Sequence, residues 1–185
     1  GSEMCIETDY ILGRTPDRNG LTLTIEELPE SDAAGKENSF RNGVQCTLNK
    51  KLITNSLNII FDLLNRSGSR ALVTEVSDFL MLAVYRAFRV LHGANEKNQP
   101  AMFKLNRLIA HPYSAAMMQV CQANAEQIAA GKPAEGMDPI THPDALALST
   151  ESLSRDYPLF ATSLLNLVTN AEKRVLAANA PTDRK

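Results

Sequence analysis

Hydrophobic and polar positions change rhythm once along this chain, and the change falls near Leu48. Before it the period is two. Leu21, Leu23 and Ile25 alternate with Thr22, Thr24 and Glu26, the pattern of a half-buried strand in which β-branched threonines are at home. Tyr10, Ile11 and Leu12 form an earlier apolar run, and Pro16, Asp17, Asn19 and Gly20 lie between the two. Asn-Gly takes the positive φ of a hairpin turn readily, so a small N-terminal β-hairpin is predicted. Residues 29–43 are polar and contain glycine, and read as a flexible connection. Val44, Cys46 and Leu48 alternate briefly and offer a third short strand.

From Leu48 onward the steps are helical. Ile53, Leu57, Ile60 and Leu64 recur at intervals of four, three and four, on a helix ending near Gly68. Ser69 is an N-cap for the next helix, which reaches Leu91 before His92 and Gly93. Its middle, residues 79–85, is apolar all round, the mark of a buried central helix. Pro100 suits the first turn of a short helix carrying Met102, Leu105, Leu108 and Ile109 and stopped by Pro112. A further helix covers residues 113–130, with Met117, Val120, Cys121 and Ile128 on one face. After a loop with Gly131, Pro133, Gly136, Pro139 and Pro143 comes a short helical piece. The last helix begins near Pro158, shows Phe160, Leu164, Leu167, Val168, Ala171 and Val175, and is closed by Pro181.

The fold expected is mainly α (α+β): a compact five-helix bundle with a long central helix and the small N-terminal hairpin. Residues 1–43 form the hairpin and acidic connection, and residues 44–185 the helical domain. Leu57, Ile60, Phe79, Leu80, Val84, Leu105, Val120, Leu164 and Val168 are the predicted core.

Composition refines this picture. A chain of 185 residues with 44% hydrophobic and 22% charged residues suits one globular domain. With no tryptophan, four Tyr and six Phe, the core rests on aliphatic side chains, which favours helix packing. Gly1 and Ser2 read as a tag remnant, with Met4 a candidate native start. The longest stretch without a charged side chain, residues 108–125, holds His111, Pro112, Gln119, Gln122 and Asn124 and does not suit a membrane span. Cys5, Cys46 and Cys121 are odd in number and widely spaced, so free thiols in a reducing, cytoplasmic setting are expected.

Charge is uneven. Residues 1–43 hold nine acids and four bases, residues 44–110 four acids and nine bases, and residues 111–185 eight acids and six bases. The acidic start covering the basic middle is one reading; a nucleic-acid or acidic partner is the other.

The chemistry-bearing residues form no recognised spacing. His92, His111, His142 and the cysteines make no C-x-x-C, H-x-x-x-H or H-E-x-x-H, so no metal or cofactor site is assigned. Cys121, on an apolar stripe, reads as a core cysteine and not a nucleophile. No G-x-S-x-G elbow is present, no paired acids share an apolar setting, and Ser67, Gly68 and Ser69 lack the spacing of a phosphate loop and read as a helix-to-helix turn. No catalytic residue is assigned. Residues 108–120 have the outline of a helix–turn–helix, but residues 113–130 carry no Lys or Arg to hold phosphates, which disfavours nucleic acid.

The leading expectation is a non-enzymatic protein–protein interaction module, an adaptor or chaperone-like subunit with an acidic partner. Adjacent Met117 and Met118 cannot both face one core, which leaves one for an adaptable surface. Its contact residues are Arg86, Arg89, Lys104 and Arg107, three apart in pairs on successive helices. The alternatives are an enzyme with a site assembled from distant residues and a nucleic-acid-binding regulator using the basic middle third.

Overall fold

A computed structural model describes residues 36–179, with side chains from residue 39. The expected hairpin lies outside the described residues. Five α-helices follow in order: α1 (Lys36–Ser67), α2 (Arg70–Gly93), α3 (Arg107–Ala129), α4 (Thr150–Asp156) and α5 (Ala161–Asn179), with 3-10 turns at Pro100–Met102 and Pro143–Leu146. Among the described residues no strand occurs, only an isolated bridge between Ala134 and Met137. None of the helices is long and apolar enough to cross a membrane.

Two expectations are corrected at once. Residues 36–43 are helix, not connection, and Val44, Cys46 and Leu48 continue α1 instead of forming a strand. Three apolar residues at alternate positions do not outweigh the intrahelical hydrogen bonds of 32 consecutive residues. Pro112 does not stop a helix either. It lies inside α3, which starts at Arg107 with Asn106 as its N-cap and runs unbroken to Ala129. As the sixth residue of α3, Pro112 removes one intrahelical bond, the one an N–H there would give Leu108 O, and the remaining bonds and the packing on α2 carry the helix through it. The break required by a helix–turn–helix is therefore absent.

The described residues divide into two compact units, one holding residues up to Asp62 and from Leu148, the other Leu63–Ala147. In the first, α1 buries Asn55, Ser56 and Ile59; of the predicted stripe Ile53 is exposed and Leu57 and Ile60 are half-buried, while its last member, Leu64, is buried farther along the helix. Ser56, Ala161 and Ser163 are all buried, and the Asn55 amide Nδ2 donates to Ser163 Oγ at 3.0 Å. Tyr157 donates its hydroxyl to Asp62, and Ser149 caps α4 in a reciprocal pair with Ser152. Of the last helix's predicted stripe, Leu164 and Leu167 are half-buried and Val168 and Val175 exposed.

The second unit is built on α2 packed against α3. The turn before α2 is a helix-to-helix turn. Gly68 takes φ +62°, Ser67 Oγ donates to Leu64 O, and Ser69 Oγ accepts from Leu72 N–H. Leu72 and Glu75 of α2, and Ala110, Ser114, Cys121, Asn124 and Ile128 of α3, are buried. Gly131, at φ +75°, turns the chain back so that Ile140 N–H donates to Ile128 O and both Ala134 and Ile140 are buried. The α2 segment 79–85 is not buried all round. Phe79 and Leu80 are half-buried and Val84 is 70% exposed; Leu105 is also exposed and Val120 half-buried. An apolar circumference needs neighbours on every side, and among the described residues α2 packs mainly against α3.

Candidate functional site

The site of interest in the second unit forms where the chain turns from α2 to α3. Pro100 fixes φ at the head of a 3-10 turn, whose end places Phe103 over α2. The Phe103 ring meets His92 edge-on at 4.8 Å and Tyr85 at 6.2 Å, and the Arg89 guanidinium lies 4.1 Å over its face. His92 Nε2 is 3.2 Å from Gln99 O, and Asn98 Nδ2 donates to His92 O at 2.8 Å. These contacts hold the connection against the last turns of α2.

Two predicted contact residues serve as struts in this arrangement. Arg86 donates from Nη1 to His111 O and to Ser114 Oγ, both at 2.6 Å. Arg89 donates to the Tyr85 hydroxyl at 2.8 Å and to Leu105 O at 3.1 Å. Both are half-buried, whereas Lys104 and Arg107 are exposed. All four therefore belong to one end of the α2–α3 pair. The acceptors of Arg86 and Arg89 are neutral oxygens. From residue 79 to residue 125 there are five bases, Arg86, Arg89, Lys97, Lys104 and Arg107, and one acid, Glu96, a net of +4. That positive charge is left uncompensated by carboxylates of the described residues.

Beside the struts lies an open, largely apolar groove of about 550 Å³, walled by Tyr85, Phe103, Leu105, Tyr113 and Met117 with Lys104 on its rim. Tyr113 is 70% exposed, Met102 64% and Met117 49%, while Met118 is half-buried. The adjacent methionines thus divide as helical geometry requires. Tyr113 and Met117, four apart, share a side of α3. The groove itself was not legible in the sequence, since it needs the Phe103 anchor and the continuous α3.

A second group escapes sequence reading. At the other end of the pair, buried Asn124 donates from Nδ2 to Glu75 Oε2 and to Glu135 Oε2, each at 3.3 Å. Cys121 lies beside Glu75 and is buried, as a core cysteine should be. Burial pushes its thiol pKa up, and the carboxylates of Glu75 and Asp78 push it further. That environment suppresses the thiolate, the opposite of what a nucleophile needs. Among the described residues no cluster of three or more His, Cys, Asp or Glu is arranged to hold a metal ion. Comparison of the chain with protein-family models, with curated proteins and with solved structures gives no match.

Proposed function

We propose that the protein is a non-enzymatic interaction module, an adaptor or chaperone-like subunit that binds a protein partner at the basic end of the α2–α3 pair. The observation that carries this reading is a set of large apolar side chains left in water around a groove: Met102, Leu105, Tyr113 and Met117. Scattered exposed apolar residues are ordinary on any surface, but a contiguous group beside a concave face marks a contact site. Lys104 and Arg107 contact the partner in this reading, and Arg86 and Arg89 position the groove. The positive charge steers an acidic partner and raises its on-rate more than its final affinity.

Affinity capture from the native host tests it, with the native chain compared against Lys104→Glu/Arg107→Glu. A discrete protein retained by the native chain and lost from the variant, at unchanged melting temperature, is expected. Identical capture by both chains counts against this surface.

A further inference from the structure

The groove's chemistry points to its occupant, and this inference rests on the interaction reading above. We infer that the α2–α3 groove takes an acidic amphipathic helix from a protein partner. The helix's apolar side chains lie between Tyr113 and Met117 on one wall and Phe103 and Leu105 on the other. Its carboxylates lie over Lys104 and Arg107.

Charge selects the sign of the ligand. The five bases and one acid of residues 79–125 leave a net of +4, and the two guanidiniums fixed in place are bonded to neutral oxygens only. A basic or neutral segment gains nothing from that field, whereas each carboxylate placed on the rim meets a cation without first displacing an acid. Shape selects the conformation. An extended peptide binds by adding a strand to a sheet edge, and no sheet edge exists among the described residues. A groove beside packed helices instead accepts a helix through anchors at i, i+3 or i+4 and i+7. Tyr113 and Met117 repeat at that interval on their own wall. The side-chain types agree: a tyrosine supplies a large rigid contact with a polar tip, and Met102 and Met117 are unbranched and adapt to the anchor presented.

The test uses the intact chain and a displayed library of random 16-residue peptides. Enriched peptides are then synthesised with a fluorescent label and titrated by anisotropy. The expected result is enrichment of Asp and Glu together with apolar residues at helical spacing. Lys104→Glu/Arg107→Glu and, separately, Met117→Lys should each weaken binding at least about tenfold with unchanged circular dichroism and melting temperature. All three positions are exposed, so the variants test contact and not folding. Enriched peptides without acidic excess, insensitive to the charge reversal but lost with Met117→Lys, overturn the acidic helix and leave the interaction reading standing. Absence of enriched peptides with a dimer in sedimentation that Met117→Lys disperses assigns the groove to a second copy and overturns the inference. Absence of enriched peptides with a monomer in sedimentation overturns both.

Discussion

The two ends of the α2–α3 pair are made from similar amounts of apolar sequence and end in opposite states. At one end Leu72, Cys121 and Ile128 are buried, and the chain after Gly131 returns to bury Ala134 and Ile140 beside them. At the other, Ala110 and Ser114 are buried while Val84, Val90, Leu91, Leu108 and Tyr113 stand in water. The difference lies in what covers each end. Residues 130–147 supply a returning segment that caps the first end, and residues 94–106 supply one large ring, Phe103, at the second. Polarity inverts as well. Buried Glu75 and Asn124 give the covered end its polar interior, and cations hydrogen-bonded to neutral oxygens give the open end its net charge. Apolar content alone does not predict burial; the number of segments reaching a surface decides it.

The largest expected effect tests that contrast directly. Ile128 is fully buried, so Ile128→Ala should cost about 2–5 kcal/mol in urea unfolding. Leu91→Ala and Val84→Ala, at the open end, should each stay within about 0.5 kcal/mol. If Val84→Ala costs as much as Ile128→Ala, the open end is covered in solution and the comparison fails.

A middle-sized effect concerns the struts. Arg86→Ala removes two charge-assisted hydrogen bonds from a half-buried site, and a loss of about 1–2 kcal/mol is expected. Arg86→Lys should recover less than half of it, because one ammonium does not reproduce the fork that reaches both oxygens. Full recovery by lysine would mean that charge, and not geometry, holds α2 to α3 here. The Ser69→Ala variant sharpens the other end. It removes the acceptor for Leu72 N–H and should cost about 1 kcal/mol by the same unfolding measurement.

Some of this was legible in the sequence. Ser69 as a cap, the turn at Gly68, the helical content after Leu48 and a buried Cys121 follow from local chemistry: a hydroxyl three residues before an orphan N–H, a glycine at positive φ, a period of 3.6. What failed was non-local. The buried face of α1 centres on Asn55, Ser56 and Ile59, and Asn55 reaches Ser163 across more than a hundred residues; an apolar-stripe count cannot place polar residues in a core. Segment 79–85 read as central because its circumference is apolar, yet nothing in its own residues states how many neighbours arrive. The cations Arg86, Arg89, Lys104 and Arg107 were singled out by spacing alone. The use of the first two as struts was not, since their acceptors at His111, Ser114 and Leu105 depend on where α3 begins.

The smallest effect belongs to Cys121 and reports how well the covered end is closed. Iodoacetamide at pH 8 should modify exposed Cys46 and spare buried Cys121, read by mass mapping of the two peptides. Cys121 also ties stability to pH with a definite sign. Its thiol pKa is raised in the folded state by burial and by Glu75 and Asp78. The unfolded chain therefore releases this proton at a lower pH than the folded one. The contribution is fully present below the unfolded thiol's pKa of about 8.5 and is lost as pH rises above it. Unfolding free energy measured from pH 7 to pH 10 should fall more steeply for the native chain than for Cys121→Ala, which has no proton to release. Equal slopes, or alkylation of Cys121 as fast as Cys46, would mean that the end sealed by Ile128 and Ile140 opens as freely as the end that faces the groove.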